Sequence, residues 1–435
     1  MKKVALHNLG CKVNAYETEA MQELLEANGY EIVPFAEGAD IYIINTCTVT
    51  NMADRKSRQM LHRAKKMNPD AIVVAAGCYV QAQEEEGKTD DCVDIVIGNN
   101  CKKDLIAILE EFSAKSRKEN EHQVMKDLVD IHHTKEYENL NLSKTAEHTR
   151  AYIKVQDGCN QFCTYCIIPF TRGRVRSRSK QDVLEEVCRL AEHGYQEIVL
   201  TGIHLSSYGV DLEGENLLSL IEAVHEIEGI KRIRLGSLEP RIITEEFAAR
   251  LSRLEKICPH FHLSLQSGCD AVLKRMNRKY DSAEYYEKCI LLRKYFSNPA
   301  LTTDVIVGFP GETEEEFEES RAFVEKVGFY ETHIFKYSRR QGTKAAAMKD
   351  QIPEQVKAKR SEILLELDQR QRRAYEALWK GKEVEILVEE EIIRDGQKYW
   401  TGHTKEYIRG AFITEEYVQN QIVRKCLGVD SQIVH

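Results

Sequence analysis

The sequence has no uninterrupted apolar run approaching the ~18 residues of a membrane helix. Its opening, MKKVALHNLGCKVNAYETE, turns polar after one short strand-like stretch, the wrong pattern for a secretory signal. It also lacks an excess of positive charge: 61 Lys and Arg face 70 Asp and Glu, a net charge of -9. The whole molecule is therefore no magnet for polyanions, and any nucleic-acid surface has to be local. These absences leave a cytoplasmic protein with no membrane contact as the expectation. What is abundant is cysteine, 13 in 435 residues. Without a secretory signal, so many thiols point to free cysteines or metal ligands rather than disulfides.

The length allows two or three domains, each with a sizeable core. Residues 1–112 alternate short apolar strands (VALHNL, IYIINT, AIVVAAG, DIVIGN) with helical patterns, one of them from about Met52 to Met67. Such a series predicts a small parallel α/β sheet, whose ligands sit beyond the carboxyl ends of the strands. Cys11, Cys47, Cys78 and Cys101 each fall just past such an end, so four thiols are placed to converge on one sheet edge. Residues 113–144 are polar and poorly periodic and read as a linker, one that a domain surface can order in part. From 145 to 372 the runs AYIKVQ, EIVLTG, RIRLGS, FHLSLQ, TTDVIVG and THIFKYS alternate with helices. They predict a (β/α)6 partial TIM barrel with its chemistry at the carboxyl ends of the strands.

Residues 373–435 change to short strands and turns, as in a small β-barrel. From 381 onward they carry 7 basic against 10 acidic side chains, a charge of -3, which weakens any simple electrostatic case for RNA binding there. Two basic runs remain, Arg55 to Lys66 and Thr171 to Lys180. Each reads equally well as a solvated helix face or loop.

The stretch DGCNQFCTYC places Cys159, Cys163 and Cys166 just past the first strand of the second series. Structural zinc sites draw four ligands, usually from two knuckles; here the second knuckle is missing, and His193 and His204 lie far along the chain. A [4Fe-4S] cube tolerates three cysteines and leaves one iron open to an exogenous ligand. Cys188 and Cys289 sit in helical patterns on apolar faces and read as buried structural thiols. Cys92, Cys258, Cys269 and Cys426 have no partner at ligand spacing. Gly202 in LTGIH and Gly308 in VIVGFPG allow close backbone approach to a ligand, or serve ordinary tight turns. Glu239 and Gln266 fall at the predicted barrel mouth.

The CxxxCxxC spacing at this place, with Tyr165 before the last cysteine, resembles the radical S-adenosylmethionine (SAM) superfamily. The resemblance implies that SAM binds the open iron and is cleaved to a 5′-deoxyadenosyl radical, with Tyr165, Thr201, Gly202, Glu239, Gln266 and Gly308 as SAM-binding candidates. The pieces LGCKVNAYE, INTCTVT, AAGCYVQ, LQSGCDAVLKRMNRKY and TDVIVGFPGETEEEF narrow it to the methylthiotransferases, over essentially the whole chain. That family implies an auxiliary [4Fe-4S] cluster on Cys11, Cys47 and Cys78, which sets Cys101 aside, and a terminal TRAM module that grips RNA. Its chemistry is carried by the two clusters, so no side-chain acid or base is required.

The partners implied are a tRNA anticodon stem-loop, an external electron donor and a sulfur source. Among the family's branches, GCKVN and SLEP resemble the one acting on N6-threonylcarbamoyladenosine of tRNA. The isopentenyladenosine branch typically reads GCQMN, and the branch acting on a ribosomal-protein aspartate GCPKN. A threonylcarbamoyl group carries a carboxylate, so its pocket should contain Arg or Lys. Arg172, Arg174, Arg176 and Arg178 are candidates for it, and Arg55 and Arg58 for tRNA phosphates. The rival of another class is a non-catalytic iron-sulfur or zinc RNA-binding protein.

Overall fold

The structure, a computed structural model, describes residues 1–85, 90–116, 124–144 and 149–435. Residues 117–123 of the expected linker, and 145–148 at the start of the expected barrel region, lie outside the described residues.

The first region runs β1 (Lys3–Asn8), α1 (Lys12–Ala27), β2 (Glu31–Ile32), β3 (Ile41–Thr46), α2 (Asn51–Met67), β4 (Ile72–Gly77), α3 (Cys78–Glu85), β5 (Ile95–Ile97), α4 (Leu105–Ser116) and β6 (Met125–Asp127). Its strands lie in the order β2-β1-β3-β4-β5-β6, all parallel. Every residue of β3 is buried because helices cover both faces of the sheet. One face packs Tyr42 and Ile44 against Leu61, the other Ile43 against Met21, Leu25 and Leu109.

Within the expected linker β6 pairs with β5 as an edge strand, and Ile131, Leu140 and Leu142 beyond it are buried, so the segment is ordered along the domain surface. Three apolar residues in so polar a run sustain neither a helical nor a strand period, which is why the segment read as a linker. It is tied down from both sides. Tyr16 Oη donates to the Leu140 carbonyl at 2.5 Å, and the Leu142 amide donates to Glu186 Oε1 at 3.0 Å.

The second region runs β7 (Ala151–Asp157), α5 (Ile168–Thr171), β8 (Arg176–Ser177), α6 (Lys180–Glu192), β9 (Glu197–Gly202), α7 (Leu217–His225), β10 (Arg232–Leu235), α8 (Glu245–Leu251), β11 (His260–His262), α9 (Asp270–Arg275), α10 (Ser282–Tyr295), β12 (Ala300–Val307), α11 (Glu314–Val327) and β13 (Glu331–Lys336). β9 pairs in parallel with β7 and β10, and β12 with β11 and β13. Bridges Ile233–Ile257 and Leu238–Leu263 join the two halves, giving an open barrel in the order β7-β9-β10-β11-β12-β13.

Strand alternation sorts its side chains. Ile198, Leu200, Ile233, Leu235, Val305 and Val307 pack outward under the helices, so Thr201, Arg234 and Asp304 fall on the lumen side. Helix starts are set by caps: Thr313 and Glu316 form a reciprocal capping box on α11, with bonds of 3.2 and 3.0 Å.

α12 (Glu354–Ala377) leads to β14 (Glu383–Arg394), β15 (Gln397–His403), β16 (Arg409–Phe412), β17 (Ile422–Cys426) and β18 (Gln432–Ile433). They form a curled antiparallel sheet in the order β17-β14-β15-β16-β18 around Ile386, Val388, Trp400 and Phe412. This sheet docks on the base of the barrel. Arg232 and Arg234 donate to the carbonyls of Glu385, His403, Thr404 and Lys405 at 2.7–3.2 Å. The β15–β16 turn seats Tyr407, at φ 72°, between the rings of His260 (4.6 Å) and His403 (4.5 Å).

The first region covers the open side between β13 and β7, whose outer edge pairs only with the short β8, at Gln156 and Asp157. α1 lies along β7, with Lys154 Nζ 2.7 Å from Glu17 Oε1. Beyond β13, Arg340 donates to the Thr48 carbonyl at 3.0 Å and pairs with Asp54 at 2.8 Å.

Candidate metal centres and the barrel lumen

The carboxyl edge of the first sheet gathers one thiol triad. Cys11 is the N-cap of α1, Cys47 follows β3 directly, and Cys78 opens α3 directly after β4. The approach is close: a Cβ on Gly10, whose φ is 108°, would meet Cys47 Cβ and Sγ at 2.9 Å. These three thiols act on one another electrostatically, whereas Cys101 sits among Asp127, Glu138 and Lys102. Of the four thiols on this edge, geometry brings together three.

Cys159, Cys163 and Cys166 form the second triad, in the loop after β7. Burial, reinforced by the neighbouring Cys163, pushes Cys166 up to about 12; burial also lifts Cys159 to about 11, and burial with Cys78 nearby lifts Cys47 to about 12. Thiols so raised become sulfur ligands only by losing their protons to a metal. Each triad has a guanidinium beside it. Arg172 Nε donates to Cys78 Sγ at 3.1 Å, and Arg278 Nη1 donates to Cys163 Sγ at 3.3 Å. Arg172 also joins the two loops, bonding Glu17 of α1 at 2.8 Å and Asp157, two residues before Cys159, at 3.1 Å.

The donor set separates two kinds of centre. In a tetrahedral zinc site with Zn–S bonds of about 2.3 Å, sulfurs lie about 3.8 Å apart. Among the described residues, the groups whose donor atoms all fall within 4.8 Å of one another are His62–Asp90–Cys92 and His262–Asp304–His333; neither cysteine triad is among them. Three thiols are one short of a closed zinc shell, whereas a [4Fe-4S] cube takes three and leaves one iron open.

The other expected ligand-binding residues are spread around the barrel mouth. Tyr165 packs edge-on to Phe309 at 6.4 Å, beside the second triad. Thr201 and Gly202 end β9, and a Cβ on Gly202 would meet Gln156 Oε1 at 2.9 Å. Gln266, at φ 73°, exchanges backbone bonds with Asp304 and Ile306 of β12. Glu239 pairs with Arg241 at 2.9 Å. Gly308 fits the tight-turn reading: its N–H donates to Glu312 Oε2 at 2.6 Å, and a Cβ there would run into the Lys357 stem.

Three of the four candidate arginines after the second triad are likewise spoken for. Arg172, Arg176 and Arg178 are fully buried. Arg178 pairs with Glu186, and Arg176 donates to the carbonyls of Arg172 and Arg174 at 2.9 and 3.0 Å. They hold the loop rather than present a free cation. Arg174 alone is exposed, with its guanidinium 4.5 Å from the Phe162 ring. Arg55 and Arg58 are exposed on α2.

Two cysteine expectations also change. Cys188 is exposed, not buried, while Cys289 is buried as expected. Cys92 does have neighbours at ligand distance, His62 and Asp90, which the fold brings from other segments. The residues that sequence reasoning missed are Arg278 and Asn99, whose Nδ2 lies 3.6 Å from Cys78 Sγ. They stand in the polar runs MNRKY and IGNN, and a polar side chain in a loop gives no sign of the sulfur it will face.

Every strand of the barrel sends polar side chains into the lumen. Lys154 and Gln156 come from β7, Glu197 and Thr201 from β9, Arg232 and Arg234 from β10, and His262, Asp304 and His333 from the last three strands. His262 Nε2 lies 3.3 Å from Asp304 Oδ2, its Nδ1 3.1 Å from Thr302 Oγ1, and its ring 5.7 Å from that of His333. His204, at the mouth, is driven down to about 4 by burial and by Arg278 and Arg241, so it is neutral at physiological pH.

Residues 153–324 match the Radical SAM superfamily, and residues 3–98 match Uncharacterized protein family UPF0004. The chain is 41% identical over 426 residues to the threonylcarbamoyladenosine tRNA methylthiotransferase MtaB of Bacillus subtilis, covering 98% of this chain and 93% of that protein. It is 43% identical over 390 residues to the protein of the same name from Aquifex aeolicus, covering 89% and 93%. It is 38% identical over 392 residues to the tRNA-2-methylthio-N(6)-dimethylallyladenosine synthase of Moorella thermoacetica, covering 87% and 85%. Among solved structures, the radical S-adenosylmethionine methyltransferase TsrM of Kitasatospora setae shares the fold at a TM-score of 0.55 and 15% identity, over 77% of this chain and 72% of that one.

Proposed function

Because the chain belongs to the radical SAM methylthiotransferases, we propose that it places a methylthio group on C2 of N6-threonylcarbamoyladenosine at position 37 of tRNA, in the cytoplasm. The observation that carries this reading is the pair of thiol triads at strand ends, joined through Arg172 on the side where the first region covers the open barrel. A [4Fe-4S] cluster with SAM on Cys159, Cys163 and Cys166 would supply the 5′-deoxyadenosyl radical for the C2–H bond, and a second cluster on Cys11, Cys47 and Cys78 the sulfur that replaces the hydrogen.

The chain's own residues position and shield. Arg278 and Arg172 place positive charge against sulfur that is anionic once ligated. Tyr165 and the strand-end residues Thr201, Gly202, Glu239 and Gln266 surround the mouth where SAM would lie, and α1 with the β3–α2 turn excludes water from the barrel's open side. No lumen side chain is needed as acid or base. The curled C-terminal sheet and the basic face of α2 are the surfaces for the anticodon stem-loop; an electron donor and a sulfur source complete the reaction from outside.

Relatives named for dimethylallyladenosine give a second reading. The lumen favours the first: its partly exposed polar side chains His262 and Asp304 suit a modification bearing a carboxylate and an amide, where an isopentenyl group would be served by apolar walls. Mass spectrometry of tRNA nucleosides from cells with and without the protein tests it. The expected result is loss of 2-methylthio-N6-threonylcarbamoyladenosine alone. Loss of the methylthio-isopentenyl nucleoside instead would move the chain to the second reading, and an unchanged nucleoside profile would point to a ribosomal-protein substrate.

A further inference from the structure

Lys12 stands immediately after Cys11, at the first position of α1. Its side chain is exposed, yet the charged groups that act on its ammonium are Tyr407, Arg150, Arg234 and Glu197. All four belong to the base of the barrel and the sheet docked beneath it. Its ammonium also acts on His260, whose ring is stacked on Tyr407. Lys12 therefore reaches from the first region across the barrel's open side, and the space it is exposed to is the lumen.

The neighbouring cations are already committed. Arg234 pairs with Glu197 at 2.7 Å and Arg150 with Glu389 at 3.2 Å, both over the face of Tyr407. Lys154 is held by Glu17 and Asp157 at 2.7 and 2.6 Å, and Arg172 by the same two carboxylates. Lys12 makes no hydrogen bond or ion pair with any described residue. It is an ammonium on a flexible stem with no partner among the described residues, attached next to a ligand of the auxiliary centre.

We propose that Lys12 is the specificity-determining residue that binds the carboxylate of the threonylcarbamoyl group. The proposal rests on the substrate assigned above and adds the residue that reads it. An adenine whose C2 faces the sulfur-donating side extends its N6 substituent into the lumen, where one free cation meets one carboxylate.

The test is a cycle between protein and substrate. Full-length protein reconstituted with iron and sulfide is assayed on an anticodon stem-loop carrying threonylcarbamoyladenosine, as the free acid or as its neutral methyl ester. Lys12→Gln should raise KM for the acid by about ten- to a hundredfold and leave KM for the ester unchanged, with Lys12→Arg restoring most of the preference for the acid. Arg174→Gln, on the exposed loop, should weaken both RNAs equally. Iron content and the cluster absorbance of each variant are measured alongside, since a variant that merely lost its centre loses both substrates together. If Lys12→Gln keeps the wild-type ratio of acid to ester, or loses both equally, this inference is overturned while the substrate assignment stands. If the wild-type protein ignores threonylcarbamoyladenosine and acts on an isopentenyl RNA, the assignment and the inference fall together.

Discussion

Single residues set the geometry of the triads, and Gly158 is the most constrained. It adopts φ 70°, and a Cβ there would run into the carbonyl of Arg174, backbone that cannot swing aside as a side chain can. Its amide donates to Asp157 Oδ1 at 2.7 Å, and Cys159 N donates to the Gly173 carbonyl at 3.0 Å, so the hairpin closes directly beneath the first thiol of the second triad. Left-handed backbone alone costs an alanine about 1–2 kcal/mol, and relieving the overlap would shift Cys159 away from Cys163 and Cys166. Gly158→Ala should therefore hold about four irons per chain after anaerobic reconstitution where the natural sequence holds about eight, and should lose reductive SAM cleavage. Equal iron and equal 5′-deoxyadenosine from the two proteins would refute this. The rigid hairpin was readable only in part: DGC marked a turn before a ligand, but the carbonyl that forbids a side chain comes from a residue sixteen positions on.

Between elements, the docking of α1 on β7 depends on a buried charge network. Glu17 faces Lys102 (3.2 Å), Lys154 (2.7 Å) and Arg172 (2.8 Å), all buried, and Asp157 shares the last two. Burial alone would raise the Glu17 carboxyl, but Arg172, Lys102 and Lys154 together hold it well below the usual 4.5. Removing one partner from such a network strands the remaining charges, so Glu17→Gln should lower unfolding stability by about 3–5 kcal/mol, read as a reduced urea midpoint of the apoprotein. A carboxyl whose folded value is depressed contributes stability that is complete above its unfolded value and fades as pH falls through the folded one. The gap between the two proteins should thus be constant from neutral pH down to about 5 and close only below 4.5; a gap that closes near neutrality would mean that Glu17 is not the charged partner.

Sequence showed half of this. A lysine inside AYIKVQ is an oddity in a strand, and the alternation of RIRL and TTDVIVG marks a polar face opposite an apolar one. The partners on α1 depend on how two sheets dock, which no local period encodes. For the same reason the strap carrying Leu140 and Leu142 passed for a linker, and Arg172, Arg176 and Arg178 for a free basic run.

At the scale of the whole molecule, electrostatics has to bring a polyanion to a protein of net charge -9. The C-terminal sheet, at -3 from residue 381, gives little attraction of its own, whereas α2 exposes Arg55, Lys56, Arg58, Arg63 and Lys66 along one helix. Arg55, Lys56, Arg63 and Lys66 form no ion pair with a described residue. The start of α2 is fixed to the barrel rim, Asn51 Nδ2 donating to the Arg339 carbonyl at 2.8 Å, so this basic face flanks the side of the barrel where the first triad lies. An anticodon arm laid on α2 would bring its loop to the lumen, with the C-terminal sheet gripping by shape and hydrogen bonds beneath. Neutralising a phosphate releases counterions, so Arg55→Glu with Arg63→Glu should weaken tRNA binding and flatten the plot of log affinity against log salt by about 0.7–0.9 for each phosphate that is no longer neutralised. Both quantities come from filter binding at several salt concentrations. A double variant with weaker binding but an unchanged slope would show that α2 acts through fold rather than charge, and one with neither change would place the phosphate-binding cations elsewhere, on Arg174 and the loop after the second triad.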